Sequence, residues 1–191
     1  MIASPKERPM LSDADTQHYR MAALDQLRRA GIVVTDDELA GMELADLALG
    51  DFEREGLALL VYFNDDRYCA KELILLAHQT CPEHRHPPVG SDPGKQETFR
   101  CRSGVVYLHV EGPASSRVIA RPPAGKEQYY TATREIVLEP GDQFTIPPNT
   151  LHWFQAGPEG AIVSEFSSTS RDEFDVFTDP AVRRVQQPRV D

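Results

Sequence analysis

Histidines stand at positions 84, 86 and 152 and a glutamate at 97. They lie in Cys81-Pro-Glu-His-Arg-His-Pro87, Pro147-Pro-Asn-Thr-Leu-His-Trp153 and Gly94-Lys-Gln-Glu-Thr-Phe99. All three stretches read as short strands. Successive side chains of a strand point to opposite faces, so His84 and His86 share one face. Two imidazoles on one face, joined by Glu97 from the next strand and by the distant His152, make a site of three nitrogens and one oxygen. That donor set suits a divalent transition ion. If coordination positions stay open, the ion acts on a substrate as a Lewis acid. The expectation is an enzyme built around a metal centre.

Composition sets the bounds. A chain of 191 residues suits one domain with an arm, and 40% hydrophobic with 8% aromatic residues is enough for a core. The formal net charge is -10 and no basic stripe offsets it, which argues against nucleic acid or an anionic membrane as partner. A small neutral substrate remains open. The first ten residues lack the apolar stretch of a signal peptide, and no apolar run approaches ~20 residues, so the expected location is the cytoplasm. The three cysteines read as reduced thiols, with Cys81 a weak candidate for a soft ligand beside His84.

The elements that must position these groups fall into two blocks. Residues 1–11 read as a proline-containing tail and residues 12–57 as helical. Ser12 is a candidate N-cap, Gly31 a stop, and Thr35 with Glu38 a capping box. Leu39, Met42, Leu44, Leu47 and Leu49 continue the helical reading to Gly50. From Leu57 the pattern turns to strands: 57–63, 68–77, 84–87, 97–102, 105–110, 129–138, 143–147, 151–155 and 161–167. Ser103-Gly104, Glu139-Pro-Gly-Asp142, Pro147-Pro-Asn-Thr150 and Gly157-Pro-Glu-Gly160 are the turns. Many short strands with Gly/Pro turns imply an antiparallel barrel or sandwich. The division is a tail with helices at 1–56, a barrel at 57–177 and a C-terminal tail at 178–191.

His84-x-His86, Glu97 and Gly104 resemble the first cupin motif, and Gly141-x5-Pro147-x4-His152 resembles the second. The spacer from His86 to Glu97 is longer than the usual one, and Ala156 stands where an asparagine often follows the last histidine. Asn64-Asp-Asp-Arg67, Lys71-Glu-Leu73, the stretches from Gln79 to Pro87 and Gly94 to Arg100, Thr145-Ile-Pro-Pro-Asn149, His152-Trp-Phe-Gln155 and Ser164-Glu-Phe-Ser-Ser168 are similar to D-lyxose isomerases of the cupin type. The resemblance implies a mainly β fold, a cupin antiparallel β-barrel or jelly roll with N-terminal α-helices. It implies conversion of aldoses such as D-lyxose and D-mannose into ketoses. It also implies a divalent ion, usually Mn2+ with Co2+, Fe2+ or Zn2+ as alternatives, held by His84, His86, Glu97 and His152.

Aldose-ketose isomerisation moves a proton from C2 to C1 through an enediolate, or a hydride between them. It needs a metal at the sugar oxygens, a base, and a group that moves protons at oxygen. Glu165, mid-strand in Val163-Ser-Glu-Phe166, is the candidate base; the alternative is a solvent-facing glutamate. Lys71 is the second catalytic candidate, against an ordinary surface lysine. Trp153 and Tyr62 are candidate sugar-binding aromatics, and Arg171 a candidate orienting group. His18, His78 and His109 have no recognisable partner. Three other readings stay open: an Fe-dependent cupin dioxygenase, a non-catalytic sugar-binding cupin, and a sugar-phosphate isomerase with Lys95, Arg100 and Arg102 near the motif. Exposed edge strands favour pairing between copies, hence a homodimer.

Overall fold

A computed structural model describes residues 11–184; the expected N-terminal tail and the end of the C-terminal tail fall largely outside this range. Helix α1 spans Asp13–Arg29. Ser12 caps it by accepting from the Asp15 N–H, Asp13 and Asp15 occupy its first turn, and Arg28 and Arg29 its last. This charge placement complements the helix dipole. The chain leaves through Gly31 at φ +73°. Helix α2, Asp36–Gly41, opens on the capping box of Thr35 and Glu38.

The helical expectation for residues 12–57 ends there. Glu43–Ala45 is strand β1, paired antiparallel with β2, Leu57–Asn64. Leu44 and Ala45 point into different cores, and Leu47 and Leu49 join Ala45. Alternation therefore describes this stretch better than a helical stripe does. A turn with Leu47 and Ala48 at φ +55° carries the chain back.

The remaining strands are β3 (Cys69–Leu75), β4 (Thr80–Arg85), β5 (Glu97–Val110), β6 (Arg134–Leu138), β7 (Gln143–Ile146), β8 (His152–Ser167) and β9 (Val176–Phe177). All nine form one curled antiparallel sheet. β8 is its spine. Its first part pairs with β4, its last part with β3, and β5 runs beside both.

Two expected pairs of short strands are each one long strand. Residues 97–102 and 105–110 are joined in β5, because Ser103-Gly104 makes a bulge and not a turn. Gly104 has φ +72°, and a Cβ there would lie 2.0 Å from the Gly160 carbonyl oxygen, so only glycine lets the strands approach. Residues 151–155 and 161–167 are joined in β8. The strand expected at 129–138 is shortened, since Glu127–Tyr129 is a 3-10 turn.

Leu57, Leu59, Leu73, Leu75, Phe99 and Phe154 fill the inside of the curl. On the outside, Ala23, Leu27, Met42 and Phe52 pack onto Ala58, Leu60, Ile74 and Ile162. The N-terminal helices thus cover one outer face and leave the interior to the site. The three cysteines are buried and free.

Candidate active site

His84 lies on β4, His86 just beyond its end, and His152 opens β8 directly opposite His84. A register shift between Cys81 and His84 turns His84, and with it His86, inward. His84 and His152 each place Nδ1 on a backbone carbonyl, Pro82 at 2.7 Å and Thr150 at 2.9 Å. A carbonyl only accepts, so Nδ1 carries the proton and Nε2 keeps its lone pair. His86 places Nδ1 2.5 Å from Asp175 Oδ1. One ligand atom from each of the three rings lies within 4.8 Å of the others.

Glu97, the first residue of β5, completes the convergence. Its Oε1 is 2.9 Å from His152 Nε2 and 3.3 Å from His86 Nε2. These three atoms are buried and, among the described residues, have no hydrogen-bond partner. Acceptor atoms facing one another in a dry pocket repel, and a cation at their focus relieves that repulsion. The charge states of His84 and Glu97 agree with this fit. In the metal-free pocket, burial and Lys95 oppose the charge of His86, but Glu97 and Asp175 outweigh them and its pKa is pushed up to about 9; an ion would take the place of its second proton. Burial, together with His152 and His86, holds His84 well below its ordinary pKa, as a neutral imidazole. Burial opposes ionisation of Glu97, but Lys95 and His86 outweigh it and hold the carboxyl well below the usual range. Cys81 lines the same cavity, yet burial and Glu97 push its thiol up, away from the thiolate a ligand requires.

Beside this centre lies a second set of charges. Lys71 on β3 stands directly across from Glu165 on β8. Glu165 Oε1 is 3.5 Å from Lys71 Nζ and 3.0 Å from Lys95 Nζ. Lys95 Nζ also reaches Glu97 Oε2 at 2.7 Å, so one ammonium bridges the candidate metal-ligand set and the candidate base. Lys71 donates to Ser170 Oγ at 3.1 Å and lies 3.7 Å from Asp172 Oδ2. Burial opposes the charge of Lys71, but Glu165 and Asp172 outweigh it and raise its pKa. Burial likewise opposes Lys95, and Glu165 and Glu97 lift it well above the ordinary lysine value. Arg184 donates to Asp172 Oδ2 at 3.1 Å and to Glu43, closing the far wall. The rest of the wall is apolar, with Leu57, Leu59, Leu73, Phe99 and Phe154.

The cavity thus brings together His84, His86, Glu97, His152, Lys71 and Glu165. It leaves out the three residues expected to touch the sugar. Trp153 follows His152 on β8 and points to the opposite face; it stacks on His109 at 3.8 Å and donates to the Ala132 carbonyl at 2.9 Å. Tyr62 is the unpaired residue of the β2 bulge and is exposed, with its hydroxyl 3.5 Å from Glu72. Arg171 pairs with Asp92 at 2.5 Å, in a smaller neighbouring hollow. His109 is a core histidine bonded to Glu135.

Asp172, Asp175 and Arg184 line the cavity without having been expected there, and Lys95, expected only as part of a phosphate cradle, lines it with Glu97 and Glu165 as partners. Lys95 carried a signal, since it lies two residues before Glu97 and so shares its face. Asp172, Asp175 and Arg184 lie outside the long strands, where no periodicity marks them.

The family model described as D-lyxose isomerase matches residues 15–189. A D-lyxose/D-mannose isomerase of Thermosediminibacter oceani is 58% identical over 93% of this chain and 98% of its own. A D-lyxose ketol-isomerase of Cohnella laeviribosi is 64% identical over 84% of this chain and 88% of its own. Among solved structures, the L-ribose isomerase of Acinetobacter sp. DL28 in complex with L-ribose aligns over 93% of this chain and 96% of that one, with a TM-score of 0.73 at 16% identity. That likeness identifies the curled sheet as the cupin fold shared with other sugar isomerases. With a family match across most of its length and relatives this similar, the chain belongs to the D-lyxose isomerase family and is a sugar isomerase.

Proposed function

We propose that the protein is a metal-dependent aldose-ketose isomerase that interconverts D-lyxose with D-xylulose and D-mannose with D-fructose, with Mn2+ as its ion. The observation that carries this reading is the placement of Lys95 between Glu97 and Glu165, at 2.7 and 3.0 Å. A lysine so placed joins a metal-ligand set to a buried carboxylate in one cavity.

His84, His86, His152 and Glu97 would hold the ion, which supplies positive charge to two adjacent sugar oxygens as the C2 proton leaves. Glu165 takes that proton from C2 and returns it at C1. The hydroxyl proton that leaves O2 is returned at O1 through Lys71, which gives its proton to O1 and takes the one from O2, while Lys95 keeps its own. Both lysines neutralise Glu165 and present N–H donors to the sugar oxygens. The apolar wall of Leu57, Leu59 and Leu73 faces sugar C–H groups and keeps water away from the reacting carbons.

Relatives named as acting on D-lyxose and D-mannose support the choice of sugars. A dioxygenase would leave the Lys71–Glu165–Lys95 cluster without a task. A homodimer in the cytoplasm completes the proposal. No helix among the described residues is long and apolar enough to cross a membrane. Phe63 and Tyr68, stacked at 4.9 Å, stay exposed beside the equally exposed Phe166.

The test is a panel of free aldoses offered to metal-stripped protein restored with Mn(II). D-xylulose from D-lyxose and D-fructose from D-mannose are expected. Absence of ketose from both sugars overturns the reading.

A further inference from the structure

The three imidazoles of the centre are not held alike. His84 and His152 each give Nδ1 to a carbonyl two residues earlier in the chain, Pro82 and Thr150. Local backbone alone orients them. His86 lies past the end of β4 and gives Nδ1 to a carboxylate 89 residues away, that of Asp175, at 2.5 Å.

We propose that Asp175 is a positioning residue for the metal centre, whose carboxylate fixes the ring of His86 and so sets how tightly the site holds its ion. This rests on the metal-centre reading above and extends it to a residue outside the ligand set.

The geometry supports the assignment in three ways. A carboxylate facing an imidazole N–H makes a charge-assisted bond, stronger than the carbonyl bonds of the other two rings. It holds a proton on Nδ1, so Nε2 is the nitrogen turned to the space shared with Glu97 Oε1, 3.3 Å away, and the one free to give up its proton to an ion. It also makes the ring a better electron donor to a cation. The pair is nearly dry, with both side chains 8% exposed.

The backbone around Asp175 is itself anchored. Its amide bonds to the Asp172 carbonyl, and the next residue, Val176, pairs with Arg85. Ser170 is held by Asn64 through two hydrogen bonds, at 2.9 and 3.0 Å. The segment therefore delivers Asp175 from a fixed position, and removing that carboxylate frees one imidazole while leaving the rest in place.

The experiment is Mn(II) binding by the metal-stripped full chain without sugar, followed by loss of the free-ion electron paramagnetic resonance signal. The proteins are wild type, Asp175→Ala, Asp175→Asn and, as a control in the same segment, Val176→Ala. Asp175→Ala is expected to weaken binding by about 10–100-fold. Asp175→Asn, close to isosteric, is expected to fall between it and wild type, because its amide oxygen still accepts from Nδ1–H without the charge. Val176→Ala is expected to match wild type. Thermal unfolding of the metal-free proteins verifies that each is folded.

Wild-type affinity in both Asp175 variants overturns the proposal while sparing the metal centre. Equal weakening by Val176→Ala and Asp175→Ala also overturns it, since any disturbance of the segment would then suffice. A wild-type protein that binds no Mn(II) removes the centre and this proposal together.

Discussion

Lys71 and Glu165 are directly opposed on paired strands β3 and β8, with Nζ 3.5 Å from Oε1 inside the barrel. Opposed residues in an antiparallel pair share a face and differ little in height. The strand register itself therefore holds this proposed acid–base couple, and no loop closure is required to assemble it.

Glu165→Gln keeps the shape of the side chain and removes its basicity. A fall in kcat of about 10²–10⁴ is expected, with Mn(II) affinity within a few-fold of wild type. Ketose formation from D-lyxose and a metal titration measure the two quantities. In D2O, the wild-type product is expected to carry partial deuterium at C1, seen by mass spectrometry, since the proton held on Glu165 exchanges with solvent in a fraction of turnovers.

Lys71→Met removes a buried ammonium and leaves its carboxylates less well balanced. Breaking a buried pair costs about 3–5 kcal/mol. The loss here is expected at the lower end, because Lys95 still faces Glu165 and Arg184 still faces Asp172. Urea unfolding gives the stability, and kcat is expected to fall with KM for the sugar raised.

Acid is expected to weaken the cavity through Asp172. Burial opposes its ionisation, but Lys71, Lys95 and Arg184 outweigh it and hold its carboxyl well below the ordinary range. A depressed folded pKa means the unfolded chain binds the proton more readily. Its stabilisation is then complete above about pH 4, the ordinary value, and lost as pH falls through the folded pKa. Urea unfolding of wild type between pH 2 and 7 is expected to steepen below about pH 4, and Asp172→Asn to flatten that slope.

Trp153→Phe tests the assignment of Trp153 to the core. It removes the hydrogen bond to the Ala132 carbonyl and part of the stack on His109. A loss of about 1–2 kcal/mol is expected, with kcat/KM for D-lyxose unchanged. A selective rise in KM would return Trp153 to the sugar.

Legibility followed periodicity. His84, His86, Glu97 and His152 stood out because alternation and motif spacing act over a few residues. Lys71 and Glu165 were readable by the same alternation. That rule also ranked against Trp153, since a residue adjacent to an inward His152 faces outward. It ranked against Tyr62 as well, because Leu57 and Leu59 point in. Aromatic character drew both into the sugar site when parity had already assigned them elsewhere. Asp172, Asp175 and Arg184 reach the cavity from the segment after β8, whose path is set by long-range contacts with Lys71, His86 and Glu43. No local pattern encodes such a path. The helical reading past Gly41 failed for a related reason: leucines two apart serve either period in so short a stretch.

The stretch Gly157-Pro-Glu-Gly160 in β8 is more than a kink. Phe154 and Ala156 face the interior before it, and Ala161 and Val163 after it, so inward positions change from even to odd within the strand. His152 and Glu165 look into the same cavity only because of that change. The segment works as a counter for the two halves of the site. A natural deletion or insertion of one residue there would turn Glu165 outward while sparing His152, whereas a change of two would keep both facing in. Length variation in this family is therefore expected to come in steps of two at this position, a constraint on inheritance that no single side chain reveals.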